Sequence, residues 1–401
     1  MEPINRLRLA ALQAQQLVNL SAQKSSLVRL AVCLHRGRKQ LKNKIKLSLR
    51  ALTHKAVVSP RLRVLVHVRG GIGDVCMTRV FLKALRAQLP QAEIYLCYDS
   101  QSVVEALFQD GAYINGFQNR KYLPQDFDLI ISGCHVFIYQ YVNRARVEQL
   151  APGFIPVLEK GLKMRDICRV FAENTPYLDG YWANATVEYG SSRVANLGLS
   201  TGLVVGQNDR AEIALAPERK RELLTALGLA DKKYITIHDG INTNTDTSHG
   251  HPTRCWPQTR WREFAALFKQ AHPDILLVQL GGSKSQAFDF ADVCLVGKTA
   301  VKDLPYVLDG ALAHVDGESG MVHLANLTHT RSVVLFGPSS AQYLGYAQNV
   351  NITSPKCQNC MNILEDWMTR CALNYAEKDQ CLAAITAPVV LDGVNKILGG
   401  K

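Results

Sequence analysis

Apolar strands alternate with amphipathic helices along the first half of the chain. Strands are predicted at Arg63–Arg69, Glu93–Cys97 and Phe127–Ser132, and helices at Thr78–Leu89 and Ser102–Gln109. Because each apolar strand leads toward a helix with one apolar face, the pattern is typical of βαβ units in a parallel sheet. This part of the chain therefore predicts a Rossmann-like α/β domain.

The same alternation returns in the second half of the chain. The predicted elements are the helix Pro217–Leu229, the strand Tyr234–His238, the helix Trp261–Ala271, the strands Ile275–Leu280 and Ala313–Asp316, the helix Gly320–Leu327 and the strand Ser332–Phe336. They predict a second Rossmann-like domain. Between the halves the pattern is weaker: helices are expected near residues 160–173, and a Gly/Ser-rich stretch near 189–206 is predicted as a loop.

The fold class is thus predicted to be α/β, with two Rossmann-like domains facing a central cleft. We expect an N-terminal domain over residues 61–215 and a C-terminal domain over 216–390 that includes a cysteine-rich segment at 357–381. A helical extension over 1–60 precedes them, and 391–401 is expected as a tail. Ligands of such sheets bind beyond the carboxyl ends of the strands, so the cleft suits a reaction of two substrates.

The positive charge of the chain is concentrated at its start. Residues 1–63 carry 14 Lys or Arg and one acidic residue, whereas residues 64–401 carry 32 basic and 33 acidic residues. Apolar and basic residues there recur at helical spacing: Leu41, Ile45, Leu49 and Leu52, with Lys39, Lys42, Lys44, Lys46 and Arg50 between them. A basic amphipathic helix can bind an anionic membrane surface, pack against the two α/β domains or another subunit, or bind nucleic acid. No aromatic residues interleave with the charges, so nucleic acid is not expected.

Composition excludes several classes of protein. Hydrophobic residues make up 47% of the 401 residues and charged residues 20%, which is typical of globular domains rather than of disordered or fibrous chains. No apolar run approaches the roughly 18 residues of a membrane span, and no signal-peptide pattern is present. We therefore expect a cytoplasmic protein, peripheral on the inner face of the inner membrane through its basic extension.

The first candidate site is a glycine-rich turn between a predicted strand and helix. It contains Gly70, Gly71 and Gly73, followed at once by Asp74. Glycines allow a sharp turn and close approach of a ligand to the backbone. A dinucleotide site would place a further glycine at Cys76, so nicotinamide binding is not favoured. Asp74 is interpreted either as a helix cap or as a general base.

Two further segments carry groups suited to a diphosphate. The first segment, at a predicted strand-to-helix junction, contains Glu318, Ser319 and Gly320. The unpaired N–H groups at the start of a helix suit a diphosphate; the alternative is an ordinary capped helix with no ligand. His323 follows one turn later. The second segment, at the end of a predicted strand, contains His238, Asp239 and Gly240. Arg254 follows it. Its planar, permanently charged guanidinium suits phosphate oxygens, and the alternative is an ordinary surface arginine.

The ordered set of motifs resembles glycosyltransferase family 9, the ADP-heptose:lipopolysaccharide heptosyltransferases and their relatives. The resemblance is carried by GGIGDVCMTRVFLKALRAQLPQAEIYL, RCWPQTRW, VQLGG, VCLVGKTAVKDLPYVL and DGESGMVHLANLTHTRSVVLFGPSS. It covers roughly residues 62–390, and it implies a GT-B fold with the nucleotide sugar on the C-terminal domain and the acceptor on the N-terminal one. Arg254 and the amides of Ser319 and Gly320 could stabilise the departing diphosphate without a metal ion, so no cofactor is expected for catalysis.

The resemblance also implies roles for individual residues. Asp74 matches the family's base, and Arg254 stands where the family commonly has a lysine that holds the donor phosphates. The family's Asp-Ser/Thr-Gly appears here with Glu318 in the first position, and His323 matches its histidine. Other expected donor contacts are Ser319, Gly320, His238, Asp239, Gly240 and Gly281. Ser283 and Lys284 stand where the family often has an acidic residue.

Four cysteines form a late cluster with the spacing C-x2-C-x10-C-x9-C. They are Cys357, Cys360, Cys371 and Cys381. Four thiolates can hold one tetrahedral metal ion and leave no open position, so a structural Zn or Fe site is one hypothesis and reduced structural thiols are the other. The segment also resembles the cysteine-bearing finger of autotransporter heptosyltransferases, which holds iron.

The sequence therefore predicts an inverting glycosyltransferase. It would move a heptose or similar sugar from an ADP-sugar to a hydroxyl of a bacterial surface glycan or glycolipid, such as a lipopolysaccharide core or a capsule precursor. Two alternatives are a protein O-heptosyltransferase and a noncatalytic binding or assembly protein that keeps the fold.

Overall fold

The computed structural model describes residues 56–175, 178–241, 252–357, 359–364 and 366–399. The basic helix predicted within residues 1–60 falls on positions outside the described residues.

The N-terminal domain is built on a five-stranded sheet. Its strands are β1 (Arg63–Val68), β2 (Glu93–Cys97), β3 (Gly116–Gln118), β4 (Leu129–Gly133) and β5 (Phe137–Val142). The order is β3-β2-β1-β4-β5, parallel throughout except for β5, which runs antiparallel to β4. The valines of β1 that point to one face, Val64, Val66 and Val68, are fully buried. This central position brings the carboxyl end of β1 to the middle of the sheet edge.

Helices pack around this sheet and extend the domain. They are α1 (Ile72–Gln88), α2 (Gln101–Leu107), α3 (Arg144–Leu150), α4 (Ile155–Glu173), α5 (Asp179–Glu188) and α6 (Arg193–Leu199). Helix α1 starts six residues before the predicted Thr78, because the glycine-rich turn is itself the start of the helix. The stretch predicted as a loop near 189–206 contains α6. There Gly198 allows close packing, since a Cβ on it would lie 2.6 Å from the Leu203 carbonyl oxygen.

The C-terminal domain is built on a six-stranded parallel sheet. Its strands are β6 (Tyr234–His238), β7 (Leu276–Leu280), β8 (Val293–Cys294), β9 (His314–Gly317), β10 (Ser332–Phe336) and β11 (Val350–Thr353), in the order β11-β10-β9-β6-β7-β8. Its helices are α7 (Pro217–Ala226), α8 (Gln258–Ala271), α9 (Leu304–Asp309), α10 (Gly320–Ala325), α11 (Ala341–Leu344) and α12 (Ala387–Gly399). Short 3-10 helices lie at Pro124–Asp126, Pro152–Phe154, Val301–Asp303, Glu377–Asp379 and Leu382–Ala384.

The end of the chain is part of the C-terminal domain core. The boundary predicted after residue 390 falls inside α12, which packs against α8 and the sheet. Val394 is fully buried and Ile397 nearly so. Residues 391–399 therefore form a packed helix rather than a tail, because their apolar positions recur at helical spacing.

The two domains meet through the starts of α1 and α10. These helices pack against each other, and apolar residues of both belong to one continuous buried cluster. The carboxyl ends of β1 and β9 thus face each other across the domain boundary. In the described part of the chain, none of the helices has the length and apolar character that crossing a bilayer requires.

Candidate active site

The two glycine-containing turns are in direct contact across the domain boundary. A Cβ on Gly73 would lie 2.5 Å from His323 Cδ2 and 3.3 Å from the Cα of Gly320, and a Cβ on Gly320 would clash with Ile72. Gly70 has a φ of +114°, which favours glycine, and its carbonyl accepts a hydrogen bond from the Tyr98 hydroxyl at 3.1 Å. The structure therefore brings together the two turns that the sequence singled out.

Asp74 lies in the first turn of α1 with both carboxylate oxygens engaged. Its Oδ2 accepts from the backbone N–H of Gly71 at 2.5 Å. Its Oδ1 accepts from the Arg193 guanidinium and from the Cys134 thiol, whose Sγ lies 3.5 Å away. Burial alone would raise the pKa of Asp74, but the Arg193 guanidinium and the Gly71 N–H lower it below its ordinary value. The side chain is thus an ionised carboxylate at neutral pH, as a general base must be.

Arg193 is a residue of the candidate site that the sequence did not indicate. It is buried at the start of α6, and besides Asp74 it contacts His135, whose Nε2 lies 3.3 Å from Arg193 Nη1. The sequence around Arg193 gives only a weak indication of a site, since this segment is rich in Gly and Ser and no recognised motif includes Arg193. A serine followed by an apolar helical pattern, Ser192 as N-cap of α6, was the one local sign of a helix.

On the facing domain, Glu318 connects the two residues expected at the donor phosphates. Arg254 Nη2 donates to Glu318 Oε2 at 3.0 Å, and His323 Nε2 lies 3.1 Å from Glu318 Oε1. The other ring nitrogen of His323 is 2.9 Å from the Tyr346 hydroxyl. Although burial opposes ionisation, Arg254 and His323 lower the pKa of Glu318 to about 2. A positively charged Arg254 therefore lies beside the start of α10, balanced by a carboxylate.

The remaining residues expected at the donor make contacts inside the domain. His238 Nδ1 lies 2.9 Å from Asp316 Oδ2, which also accepts from the Ser319 hydroxyl. Asp239 accepts from the backbone of Ile241 at 3.0 Å and from the Ser285 hydroxyl at 3.0 Å. Through these bonds His238 and Asp239 anchor the loops that carry Ser319 and the residues after β7.

Two glycines allow close packing of the loops around Arg254 and the end of β7. Gly240, with φ +80°, lies against the backbone of Arg254, where a Cβ would come within 3.2 Å of the carbonyl oxygen. Gly281 lies against Ser285, where a Cβ on the glycine would come within 2.6 Å of the serine side chain. Both glycines let neighbouring loops approach closely, which fixes the position of Arg254 and of the end of β7.

The buried His238–Asp316 pair predicts a pH dependence of stability. Burial opposes the charge on His238, but Asp316 raises the pKa of His238 from 6.5 to about 9. Its charge therefore stabilises the fold fully below pH 6.5, and this contribution is lost as the pH rises toward 9. The partner Asp316, with its pKa lowered from 3.8 to about 2, loses its contribution only in acid.

We expect the free energy of unfolding of the wild type to fall between pH 6.5 and 9 by more than that of His238→Gln, as measured by urea denaturation. His329→Gln, which changes an exposed histidine of the same domain, should follow the wild type. Parallel pH curves for the wild type and His238→Gln would contradict the assigned charge.

The four late cysteines are neighbours, but their Sγ atoms are farther apart than the sulfur ligands of one metal ion. Burial and the thiols of Cys357, Cys360 and Cys371 together raise the pKa of Cys381 to about 12, so all four lie in one region. In the described residues, no three of their Sγ atoms lie within 4.8 Å of one another. Sulfurs around one tetrahedral zinc ion are roughly 3.8 Å apart. Four thiols are the ligand type that a soft metal ion prefers, but the distances between their Sγ atoms are longer than those around a bound metal ion.

A second ligand group lies at the candidate base. Within the described residues, Asp74, Cys134 and His135 are the one set of three potential metal ligands with atoms within 4.8 Å of one another. The Arg193 guanidinium contacts both Asp74 and His135. A cation placed there would face this buried positive charge, so the group fits an arginine better than a metal ion.

Comparison with known proteins supports the family indicated by the motifs. Residues 202–367 match the model of glycosyltransferase family 9 (heptosyltransferase). No curated protein sequence matches the chain. Among solved structures, a glycosyl transferase of family 9 from Veillonella parvula is 14% identical with a TM-score of 0.50, over 86% of this chain and 99% of that one.

Two Escherichia coli structures are similar to the same degree. The ADP-heptose lipopolysaccharide heptosyltransferase II is 14% identical with a TM-score of 0.51, over 84% of this chain and 99% of that one. The iron-containing dodecameric glycosyltransferase TibC is also 14% identical with a TM-score of 0.51, over 85% of this chain and 78% of that one. At this identity the likeness establishes the fold, which is GT-B. Residues 202–367 thus match glycosyltransferase family 9, in agreement with the resemblance that the motifs carry.

Proposed function

We propose that the protein is an inverting glycosyltransferase that moves a heptose or similar sugar from an ADP-sugar to a hydroxyl of a bacterial surface glycan or glycolipid. The observation that carries this proposal is the position of Asp74. Its carboxylate lies in a turn that directly contacts the start of α10, beside which Arg254 is held. A base and a cationic diphosphate site thus lie on opposite sides of one domain boundary.

The chemistry follows from these positions. The acceptor hydroxyl gives its proton to Asp74 as its oxygen attacks the anomeric carbon, and the bond from that carbon to the diphosphate oxygen breaks. Arg254 and the backbone N–H groups at the start of α10 stabilise the charge that develops on the departing diphosphate. Attack from the face opposite the leaving group inverts the anomeric centre.

Substrates enter this cleft when the domains move apart. Gly73 and Gly320 are in contact, so a bound sugar lies beside this contact rather than between the two turns. Glu318 also holds Arg254, so a bound diphosphate must take over this guanidinium in part. The donor therefore binds to an open form, and closure brings Asp74 to the acceptor hydroxyl.

Donor binding is tested by thermal denaturation with ADP-heptose, other ADP-sugars and UDP-sugars. We expect ADP-heptose to raise the melting temperature, because a ligand that binds only the folded state stabilises it. Arg254→Ala should weaken binding by about tenfold or more, since it removes a charge-assisted hydrogen bond. Arg262→Ala, which changes an exposed arginine of the same domain, is the control. If no nucleotide sugar raises the melting temperature, the proposed function is wrong.

The acceptor class is tested by the transfer reaction itself. With radiolabelled ADP-heptose, a lipopolysaccharide core oligosaccharide should accept label, and a panel of surface proteins should not. Label on protein alone would show that a protein hydroxyl, rather than a surface glycan, is the acceptor. Label on neither acceptor would count against heptose transfer to a surface glycan.

For the late cysteines, we propose that Cys357, Cys360, Cys371 and Cys381 hold a structural Zn or Fe ion, which would draw the four thiolates together. One metal ion per chain is expected by elemental analysis, and Cys360→Ser should lose it and lower the melting temperature. Cys294→Ser, at a half-buried cysteine outside the cluster, should keep both. Absence of metal from purified protein, or unchanged stability of Cys360→Ser, would leave the cluster as reduced thiols.

The excess positive charge of residues 1–63 supports docking to an anionic membrane surface, where a glycolipid acceptor would be found. This part of the proposal rests on sequence alone. Cosedimentation with vesicles that contain anionic lipid, compared with neutral vesicles, tests it.

A further inference from the structure

Arg193 lies buried between two groups at the domain boundary. It is 5% exposed, its Nη2 donates to Asp74 Oδ1, and its Nη1 lies 3.3 Å from His135 Nε2. A guanidinium is planar and rigid, so two contacts made by its terminal nitrogens fix the directions of its N–H bonds. The carboxylate of Asp74 therefore meets a donor whose own position is determined by a second residue.

The hydrogen-bond pattern assigns the tautomer of His135. Arg193 has only donors, so His135 Nε2 must accept and the ring proton must be on Nδ1. Nδ1–H then donates to the hydroxyl oxygen of Tyr343, 3.1 Å away, and the two rings stack with centroids 5.8 Å apart. Burial, together with the Arg193 charge, lowers the pKa of His135, so the ring is neutral as this pattern requires.

Three carboxylates face this histidine and oppose that effect. Asp74 and Glu318 lie on either side of the domain boundary, and Asp179 Oδ2 is 3.7 Å from His135 Nε2, beyond hydrogen-bond distance. Asp179 instead accepts from the Thr175 hydroxyl at 2.6 Å. The neutral form of His135 therefore prevails because burial and the adjacent guanidinium outweigh these charges.

The hydrogen-bonded series that includes Arg193 crosses from one domain to the other at the contact between His135 and Tyr343. His135 follows β4 in the N-terminal domain, whereas Tyr343 belongs to α11 in the C-terminal domain. A continuous series of hydrogen bonds thus runs from Asp74 through Arg193 and His135 to Tyr343. The series is complete when the two domains are in contact.

Resting on the proposed function of Asp74, we propose that Arg193 is the positioning residue of the base, and that Tyr343, through His135, ties its position to closure of the two domains. Because a buried arginine without a carboxylate is costly, Asp74 cannot rotate away from Arg193 without leaving an unpaired charge. The carboxylate stays ionised and aimed in one direction until it takes the acceptor proton.

The hold of Arg193 on Asp74 is measured without any substrate. In protein labelled with 13C at the aspartate carboxyl carbons, with Asp74→Asn for assignment, the titration of Asp74 is followed by NMR. In Arg193→Gln the pKa of Asp74 should rise by about one pH unit or more, because burial then acts without the opposing charge. Arg193→Lys should keep the pKa low. Arg86→Gln removes a half-buried arginine of α1 that does not bond Asp74, and it should leave this titration unchanged.

The link to domain closure is measured by kinetics with ADP-heptose and lipopolysaccharide core oligosaccharide. Tyr343→Phe removes one hydroxyl and should lower kcat by roughly tenfold to a hundredfold at unchanged donor KM, since it misplaces the base only in the closed form. The control is Tyr306→Phe. The Tyr306 hydroxyl also joins the domains, 2.7 Å from Gln109 Oε1, but without contact to the site.

Two results would overturn the inference. One is an Asp74 titration that is the same in Arg193→Gln and the wild type. The other is a kcat of Tyr343→Phe equal to that of Tyr306→Phe, a readout that remains available if Arg193→Gln does not fold. If the wild type transfers no sugar while Arg193→Gln shifts the titration as expected, the proposed function fails and the hold of Arg193 on Asp74 stands.

Discussion

Replacement of Asp74 by asparagine should reduce sugar transfer by about 10²- to 10⁴-fold, the usual contribution of a general base. Asparagine keeps an oxygen that can accept from the Gly71 N–H, so the start of α1 should be preserved. It cannot take a proton from the acceptor hydroxyl. Because Asp74 lies on the domain that faces the donor rather than on the donor domain, the affinity for ADP-heptose should stay within a few-fold of the wild type.

A matched control for this variant is Asp99→Asn. Asp99 is an exposed carboxylate of the same domain that pairs with Arg120 at the surface. Its replacement should leave both transfer and stability unchanged. Transfer by Asp74→Asn at close to the wild-type rate would show that another group takes the proton, and it would remove the basis for assigning Asp74 as the base.

The largest expected effect on stability comes from Arg79. This side chain is fully buried in α1, and its guanidinium donates to the carboxylate of Asp110 and to the carbonyl oxygens of Leu107 and Glu212. Asp110 also accepts from the backbone N–H of Ala214, so the pair holds the segment that leads into the second domain. Arg79→Met should lower the free energy of unfolding by about 3–5 kcal/mol, because it leaves a buried carboxylate unpaired.

Urea denaturation followed by tryptophan fluorescence measures this change. Arg120→Met removes an arginine from the exposed pair with Asp99, and it should cost about 1 kcal/mol or less, as surface ion pairs do. If Arg79→Met and Arg120→Met were equally stable, the buried pair would contribute no more than a solvated one. The contrast tests burial rather than charge, since both variants lose one arginine.

The proposed chemistry depends on the boundary between the domains more than on either domain alone. Asp74 and Arg193 come from one domain, Arg254 and Glu318 from the other, and Tyr343 reaches across. In the described closed form each of these charges is already paired inside the protein. Substrates must therefore replace protein contacts, which makes the opening and closing of the cleft part of the reaction.

Much of the fold follows from local pattern. Apolar strands such as Tyr234–His238 and their following helices predicted both sheets, because periodicity along the chain reports which face of each element is buried. The glycine turns at Gly70 and Gly320 were also readable, since only glycine permits the backbone geometry and close contact found there. Boundaries were less readable, as α12 shows: its apolar positions continue through the expected tail.

The sequence by itself determined the two α/β domains, the two turns and the residue types, a carboxylate and an arginine, that the proposed sugar transfer requires. Only the tertiary structure decided which groups hold them: Arg193 on Asp74, Glu318 on Arg254, and His238 in a buried ion pair with Asp316. The physical reason is that a charged side chain carries no local periodic signal of its partner. Its pairing is set by which distant segments the buried strands bring together, and it is enforced by the cost of leaving a charge unpaired away from water.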